Sequence, residues 1–176
     1  MNKLFEKTLN TKEIYNGKVF KIICDDVELS TGKQTKREVV CHNGGVVIAA
    51  ETNDKIIMVE QFRYPAKEVL YELPAGKLDK ENESILDAAK RELEEETGYC
   101  AKNWEDMGFI WTSPGFCNEK LYLFKATELT FLGQHLDEGE ILNYLLIDKN
   151  IVFDMVKNGK INDSKTIAAL MRAYKL

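Results

Sequence analysis

A chain of 176 residues with 44% apolar and 30% charged content can build one domain with a substantial core and a small appendage. Its formal charge of −5 excludes a basic track for a nucleic-acid backbone, and no run approaches the roughly 18 apolar residues of a membrane span. An acidic chain that handles anionic substrates needs cations to mediate.

Residues 1–40 alternate apolar and polar side chains. Tyr15, Lys18, Phe20 and Ile22 predict one strand, and Cys24, Asp26, Val27 and Leu29 continue it or begin the next. Ser30–Lys33 supplies a turn, after which Lys36–Val40 runs back. This antiparallel unit is too small to be stable alone and is expected to pack on the main body or on a second copy. Met1–Lys7 lacks the apolar stretch of a signal peptide, and Cys24, Cys41, Cys100 and Cys117 form no Cys-x-x-Cys pair. Free thiols in a reducing cytoplasm are the expectation.

The main body, residues 41–176, begins with the nearly continuous apolar run Gly45–Ala50, which reads as a buried strand. Asn53–Asp54 turns the chain into a hairpin partner, Ile56–Gln61, and Val69–Leu73 is a further strand broken at Pro74–Gly76. A helix is predicted over Glu83–Thr97, with Asn82 or Ser84 as its N-cap and Gly98 as its stop. Trp104–Trp111 and Lys120–Ala126 read as strands around Thr112–Gly115, and Glu140–Ile147 is another. Two helices follow, Ile151–Asn158 and Lys165–Tyr174, the second capped by Asp163 or Ser164. The order indicates an α/β fold in which helices pack on a mixed sheet.

The central helix carries the chemistry. At 100° per residue, Ile85, Leu86, Ala88, Ala89 and Leu93 share one arc, and Glu83, Asp87, Lys90 and Glu94 fall on the opposite, solvent side. Glu92 and Glu96 point into the apolar sector and Glu95 borders it. An unpaired carboxylate buried there costs several kcal/mol, an objection that a bound cation removes. Oxygen donors without thiolate or imidazole neighbours suit Mg²⁺, Mn²⁺ or Ca²⁺, and Mg²⁺ usually shares its shell with substrate phosphates. On charge spacing alone, a surface salt-bridge network is an equal alternative.

The string from Gly76 to Tyr99 resembles the Nudix box: Gly, five residues, Glu, seven residues, then Arg-Glu-apolar-X-Glu-Glu-X-Gly-apolar. It matches from Glu83 onward, including Arg91, Glu92, Glu95, Glu96 and Gly98, and departs once, with six residues between Gly76 and Glu83. The extra residue falls in the polar stretch Asp79–Asn82, where an insertion leaves the helix phase untouched. The resemblance implies the Nudix α/β/α sandwich with a mixed sheet, plus the small N-terminal antiparallel β unit.

Gln61–Tyr64, Glu72–Gly76, Ser113–Phe116 with Glu119, and Pro114 fifteen residues past Tyr99 resemble the ADP-ribose pyrophosphatases of that family. The resemblance implies Mg²⁺-dependent hydrolysis of ADP-ribose to AMP and ribose 5-phosphate. Glu92, Glu95, Glu96 and the Ala75 carbonyl would hold two or three Mg²⁺ ions, with Mn²⁺ as the alternative, and Arg91 would hold a box carboxylate in place. Glu138 or Glu140 would be the base, with His135 the weaker choice in the same loop. Arg63 would contact the diphosphate, Arg37 and Glu38 would lie by the adenine, and Ser113, Gly115 and Glu119 would line a loop near the substrate. Each has a plainer reading: Arg63 as a salt-bridging arginine, Arg37 and Glu38 as a solvated pair, Pro114–Gly115 as an ordinary turn. Phe20 or Tyr15 would stack on the base or pack in the small sheet, and His42 reads as structural. A homodimer formed through residues 1–40 is expected, with the nucleoside diphosphate sugar as the small-molecule partner and no role for nucleic acid or membrane. Another such sugar nucleotide, GDP-mannose for example, or a non-catalytic nucleotide-binding module are the alternatives.

Overall fold

The computed structural model describes residues 4–136, 139 and 141–175. They divide into two compact units, one comprising the chain up to Gly44 with Trp111–Lys120, the other Gly45–Ile110 with the chain from Leu121 onward.

The smaller unit holds an antiparallel three-stranded sheet of β1 (Lys7–Asn16), β2 (Lys21–Glu28) and β3 (Gln34–Cys41). A single strand from Tyr15 to Ile22 is not formed, because the chain turns between Asn16 and Lys21, where the Gly17 amide donates to the Phe20 carbonyl. A β-carbon at Gly17 would lie 2.4 Å from the Tyr15 ring, so a side chain there would have to displace that exposed ring. Strand β1 was invisible to alternation because its pairing with β2 slips twice, between Thr8 and Asn10 and between Glu13 and Tyr15. Each slip reverses which face a side chain takes. Among the described residues of this unit, Val27 is the one buried apolar side chain, and every residue of β1 is exposed.

The larger unit is built on a seven-stranded sheet. Strands β4 (Gly45–Thr52), β5 (Lys55–Arg63), β9 (Lys120–Phe131), β8 (Tyr99–Trp111) and β10 (Leu142–Asp148) run in the order β10-β5-β4-β9-β8. Strands β6 (Glu68–Glu72) and β7 (Ala75–Lys77) pair with β5 and β4 respectively. The β4–β9 pair is parallel, from Gly45 opposite Leu121 to Ala50 opposite Ala126, whereas β4 meets β5 and β7 antiparallel, so the sheet is mixed. Asn53 and Asp54 both adopt positive φ, as a two-residue hairpin turn requires.

Strand β4 explains the layering. Val46, Ile48 and Ala50 pack with Ala88, Ala89 and Leu93 of helix α1 (Ile85–Thr97). Val47 and Ala49 face the other way, into a core with Val152 and Met155 of α2 (Lys149–Lys157) and Ala169 and Leu170 of α3 (Ser164–Tyr174). A strand covered on both faces has no polar phase, hence its continuous apolar sequence. The result is an α/β/α sandwich. No helix among the described residues is long and apolar enough to cross a membrane.

Candidate active site

Helix α1 begins two residues later than its sequence predicts. Ser84 is the N-cap, accepting from the Asp87 amide at 3.1 Å, while its hydroxyl donates to the Asp87 carboxylate at 2.7 Å. Gly98, at φ 75°, ends the helix by donating its amide to the Glu94 carbonyl. The stretch carrying the extra residue closes as a turn with Asn82 at φ 62°, a left-handed conformation that asparagine tolerates. Glu83 therefore precedes the helix, and helical periodicity does not set its direction. It is 15% exposed instead of facing solvent, because it turns back to Arg91.

Arg91 gathers three carboxylates. Its Nε and Nη2 donate to the two oxygens of Glu83 at 2.8 and 3.0 Å, and Nη1 donates to Glu92 at 2.7 Å and Glu95 at 2.8 Å. These acids hold the guanidinium well above its ordinary basicity, the Glu83 bonds contributing most. In return the Arg91 bonds hold the Glu83 carboxyl below the usual range. The sequence expectation of one steadied carboxylate understates this clamp.

The fourth acid, Glu96, is 2% exposed and accepts from the Ala75 amide at 3.0 Å. Where the sequence predicts a break at Pro74–Gly76, strand β7 forms and binds the helix through its own backbone. Gly76 beside it carries no side chain for a spatial reason: a β-carbon there would lie 1.8 Å from the Glu92 carboxyl carbon. Three of the four carboxylates bond Arg91, and Lys80 Nζ lies 3.6 Å from Glu95. The donors are all oxygen and the charge excess is negative, which fits a hard divalent cation. Among the described residues, no three acidic, histidine or cysteine side chains converge as a finished cage. A Mg²⁺ that keeps several waters does not require one.

A second charged group lies behind β7. Glu72 is 1% exposed and takes a two-pronged contact from Arg63, at 2.7 and 2.6 Å, and a further bond from Lys165. Lys165 also donates to Asp163 at 3.0 Å, and Asp163 caps α3 through the Thr166 amide. The buried Thr166 hydroxyl accepts from the Leu73 amide at 2.9 Å, and the Ile48 amide donates to the Pro74 carbonyl. Every one of residues 72–75 is thereby fixed. Arg63 is a salt-bridging arginine here, yet 39% of its side chain stays exposed. Glu72 and Lys165 went unread as a pair because 93 residues separate them.

The segment after β9 is tied to the end of α1. Leu132 and Gly133 donate to the Gly98 carbonyl, the His135 amide to the Glu95 carbonyl at 3.2 Å, and the Gln134 side chain to the Glu96 carbonyl at 2.6 Å. Its continuation carries Glu138 and Glu140, which lie outside the described residues. Gly139 and Ile141, flanking Glu140, line a cleft of about 620 Å³ with Phe62, Val69 and Asn143, and no box carboxylate lines it.

In the smaller unit, Arg37 reaches Glu6 in a two-pronged contact at 3.0 and 2.8 Å rather than pairing with Glu38, its neighbour on the opposite face of β3. Ser113 and Gly115 belong to a turn closed by the Phe116 and Cys117 amides on the Ser113 carbonyl. This turn is bonded to β3: Val40 donates to the Phe116 carbonyl, Asn118 to the Val40 carbonyl, and the Asn118 side chain accepts from the His42 amide at 2.8 Å. His42 Nδ1 accepts from the Gly44 amide at 3.0 Å and lies 3.2 Å from Glu119. Tyr15 and Phe20 pack on each other, with ring centres 5.8 Å apart.

This fold and its acid cluster define a recognised class: residues 42–170 match the NUDIX domain, and the chain belongs to the Nudix family. It is 42% identical over 173 residues to the ADP-ribose pyrophosphatase of Bacillus subtilis (strain 168), covering 97% of this chain and 93% of that one. Over 174 residues it is also 42% identical to the methanol dehydrogenase activator of Bacillus methanolicus, covering 97% and 94%. Among solved structures, the crystal structure of an ADP compounds hydrolase superposes with a TM-score of 0.87 at 22% identity, covering 97% of this chain and 92% of that one, a likeness of fold.

Proposed function

We propose that this chain is a Mg²⁺-dependent hydrolase of ADP-ribose that releases AMP and ribose 5-phosphate. The observation that carries the reading is the acid cluster: Glu83, Glu92 and Glu95 clamped by Arg91, with buried Glu96 anchored on Ala75. The near full-length likeness to a protein named as an ADP-ribose pyrophosphatase supports it. Glu92, Glu95, Glu96 and the Ala75 carbonyl would hold two or three Mg²⁺ ions, or Mn²⁺, which when bound neutralise diphosphate charge and acidify water. Glu138 or Glu140 takes the proton of the attacking water. Water adds to one phosphorus as its bond to the bridging oxygen breaks, and that oxygen leaves on the other phosphate. Arg91 keeps Glu92 and Glu95 aimed while charge moves. Arg63 offers its remaining donors to the diphosphate, and Arg37, Glu38, Ser113, Gly115 and Glu119 contact the nucleotide.

The smaller unit serves as the dimerisation element, since its fully exposed β1 and single buried side chain leave it without a core. A cytoplasmic location accompanies this reading. The equal likeness to a protein named for activating methanol dehydrogenase supports a second reading, in which the same fold serves a partner enzyme. The deciding experiment is a panel of ADP-ribose, GDP-mannose and other nucleoside diphosphates, assayed for released phosphomonoester with and without Mg²⁺. ADP-ribose turned over fastest, and only with metal, is the expected result. No turnover of any diphosphate, together with stimulation of a methanol dehydrogenase, would replace it with the second reading.

A further inference from the structure

Buried Glu72 has two cationic partners where one would neutralise it. Arg63 occupies both of its oxygens through Nε and Nη2, and Lys165 adds a third bond from the start of α3. The four groups Arg63, Lys165, Glu72 and Asp163 sum to zero charge. Their exposures differ: Lys165 is 15% exposed and Arg63 39%. Among the described residues, Nη1 of Arg63 makes no hydrogen bond. The Glu72 bonds raise the basicity of Arg63 most, and the charge of Glu96 adds a smaller contribution.

A diphosphate that draws on Arg63 competes with Glu72 for the same guanidinium. Leaving a carboxylate buried with no counter-charge costs several kcal/mol, so a lone Arg63–Glu72 pair would resist the exchange. A second cation held on the inner side removes that cost. We propose that Lys165 is a positioning residue for diphosphate binding: it keeps Glu72 neutralised from within, so that Arg63 can turn its outward donors to the substrate phosphates. This rests on the proposed role of Arg63 and adds a residue that does not touch the substrate. Asp163 holds the lysine at its post, and the Leu73–Thr166 bond fixes the strand end that carries Glu72.

The charge sum gives the test its sign. Lys165→Met leaves the four positions at −1 beside an anionic ligand, whereas Glu72→Gln combined with Lys165→Met returns them to zero. The probe is ADP-ribose with a methylene group in place of the bridging oxygen, its Kd measured by titration calorimetry with Mg²⁺ present. Lys165→Met is expected to weaken binding about tenfold, Lys165→Arg to stay within about threefold of the unaltered chain, and the double variant to recover most of the loss. Lys165→Gln, which keeps a donor to Glu72 without the charge, stands in if the methionine variant does not fold. ADP-ribose turnover by the unaltered chain tests the proposed function separately. Equal Kd values in Lys165→Met and the unaltered chain, or a loss that the double variant does not recover, overturn the role of Lys165 whichever way turnover falls.

Discussion

The Glu92 carboxylate fills the space that a side chain on residue 76 would need. A β-carbon on Gly76 would sit 2.1 Å from both of its oxygens, well inside any tolerable contact. Close approach of the Glu92 carboxylate, rather than the backbone angle, is what disfavours a side chain here. Gly76→Ala must push Glu92 away from Arg91, or β7 away from β4. A displacement of about 1 Å at a carboxylate proposed to hold Mg²⁺ is expected to cut turnover about 100-fold. Loss of activity with a Tm within a few degrees of the unaltered chain is the predicted pair of results.

Arg91 is the second test. Its planar fork serves Glu83 with two nitrogens and Glu92 and Glu95 with the third, an arrangement that lysine cannot reproduce. Arg91→Lys should lower turnover about 10- to 100-fold and raise the Mg²⁺ concentration needed for half-maximal rate. Glu83→Gln, which removes the charge and one of the two acceptors of that arm, should have a milder effect of the same kind. A metal titration of both variants checks the order.

The central helix was legible because its two demands coincide in sequence: an apolar arc for the sheet and carboxylates aimed along one edge. The same arithmetic misplaced Glu83, since a residue before the N-cap obeys loop geometry rather than a 100° step. Strand β1 was lost to its two register slips, which scramble alternation. The pairing of Glu72 with Lys165 depends on how α3 folds back over the sheet, and no local pattern announces it. Glycine at position 76 was legible as part of a motif, while its reason, the Glu92 carboxylate pressed against it, is a fact of packing.

Glu72 also sets an acid-stability prediction. Burial pushes its carboxyl up, and the Arg63 bonds with the charge of Lys165 outweigh burial, leaving it below the ordinary glutamate value of 4.5. A carboxyl with a depressed folded pKa stabilises fully above its unfolded value, and that contribution fades as pH falls through the folded value. Glu72→Gln should therefore destabilise the chain most above about pH 4.5, by about 2–3 kcal/mol after allowance for the exposed side of Arg63. The gap should narrow at lower pH. Urea unfolding of both chains between pH 2 and 7 reads this out.

The exposed strand β1 makes the oligomeric state testable. Leu9, Ile14 and Tyr15 are all exposed on a strand with no buried residue. Sedimentation at micromolar concentration should give a dimer, and Leu9→Asp with Ile14→Asp should shift it to monomer while leaving the larger unit folded. A monomer in the unaltered chain would remove the smaller unit from this role.

The most direct measurement is ADP-ribose turnover by Glu96→Gln, the one box acid that is both fully enclosed and bonded to β7. Glutamine keeps the shape and the contact with Ala75 but loses the charge. The account predicts that kcat falls by about three orders of magnitude at saturating Mg²⁺, with an unaltered melting profile. Turnover within a few-fold of the unaltered chain would contradict it.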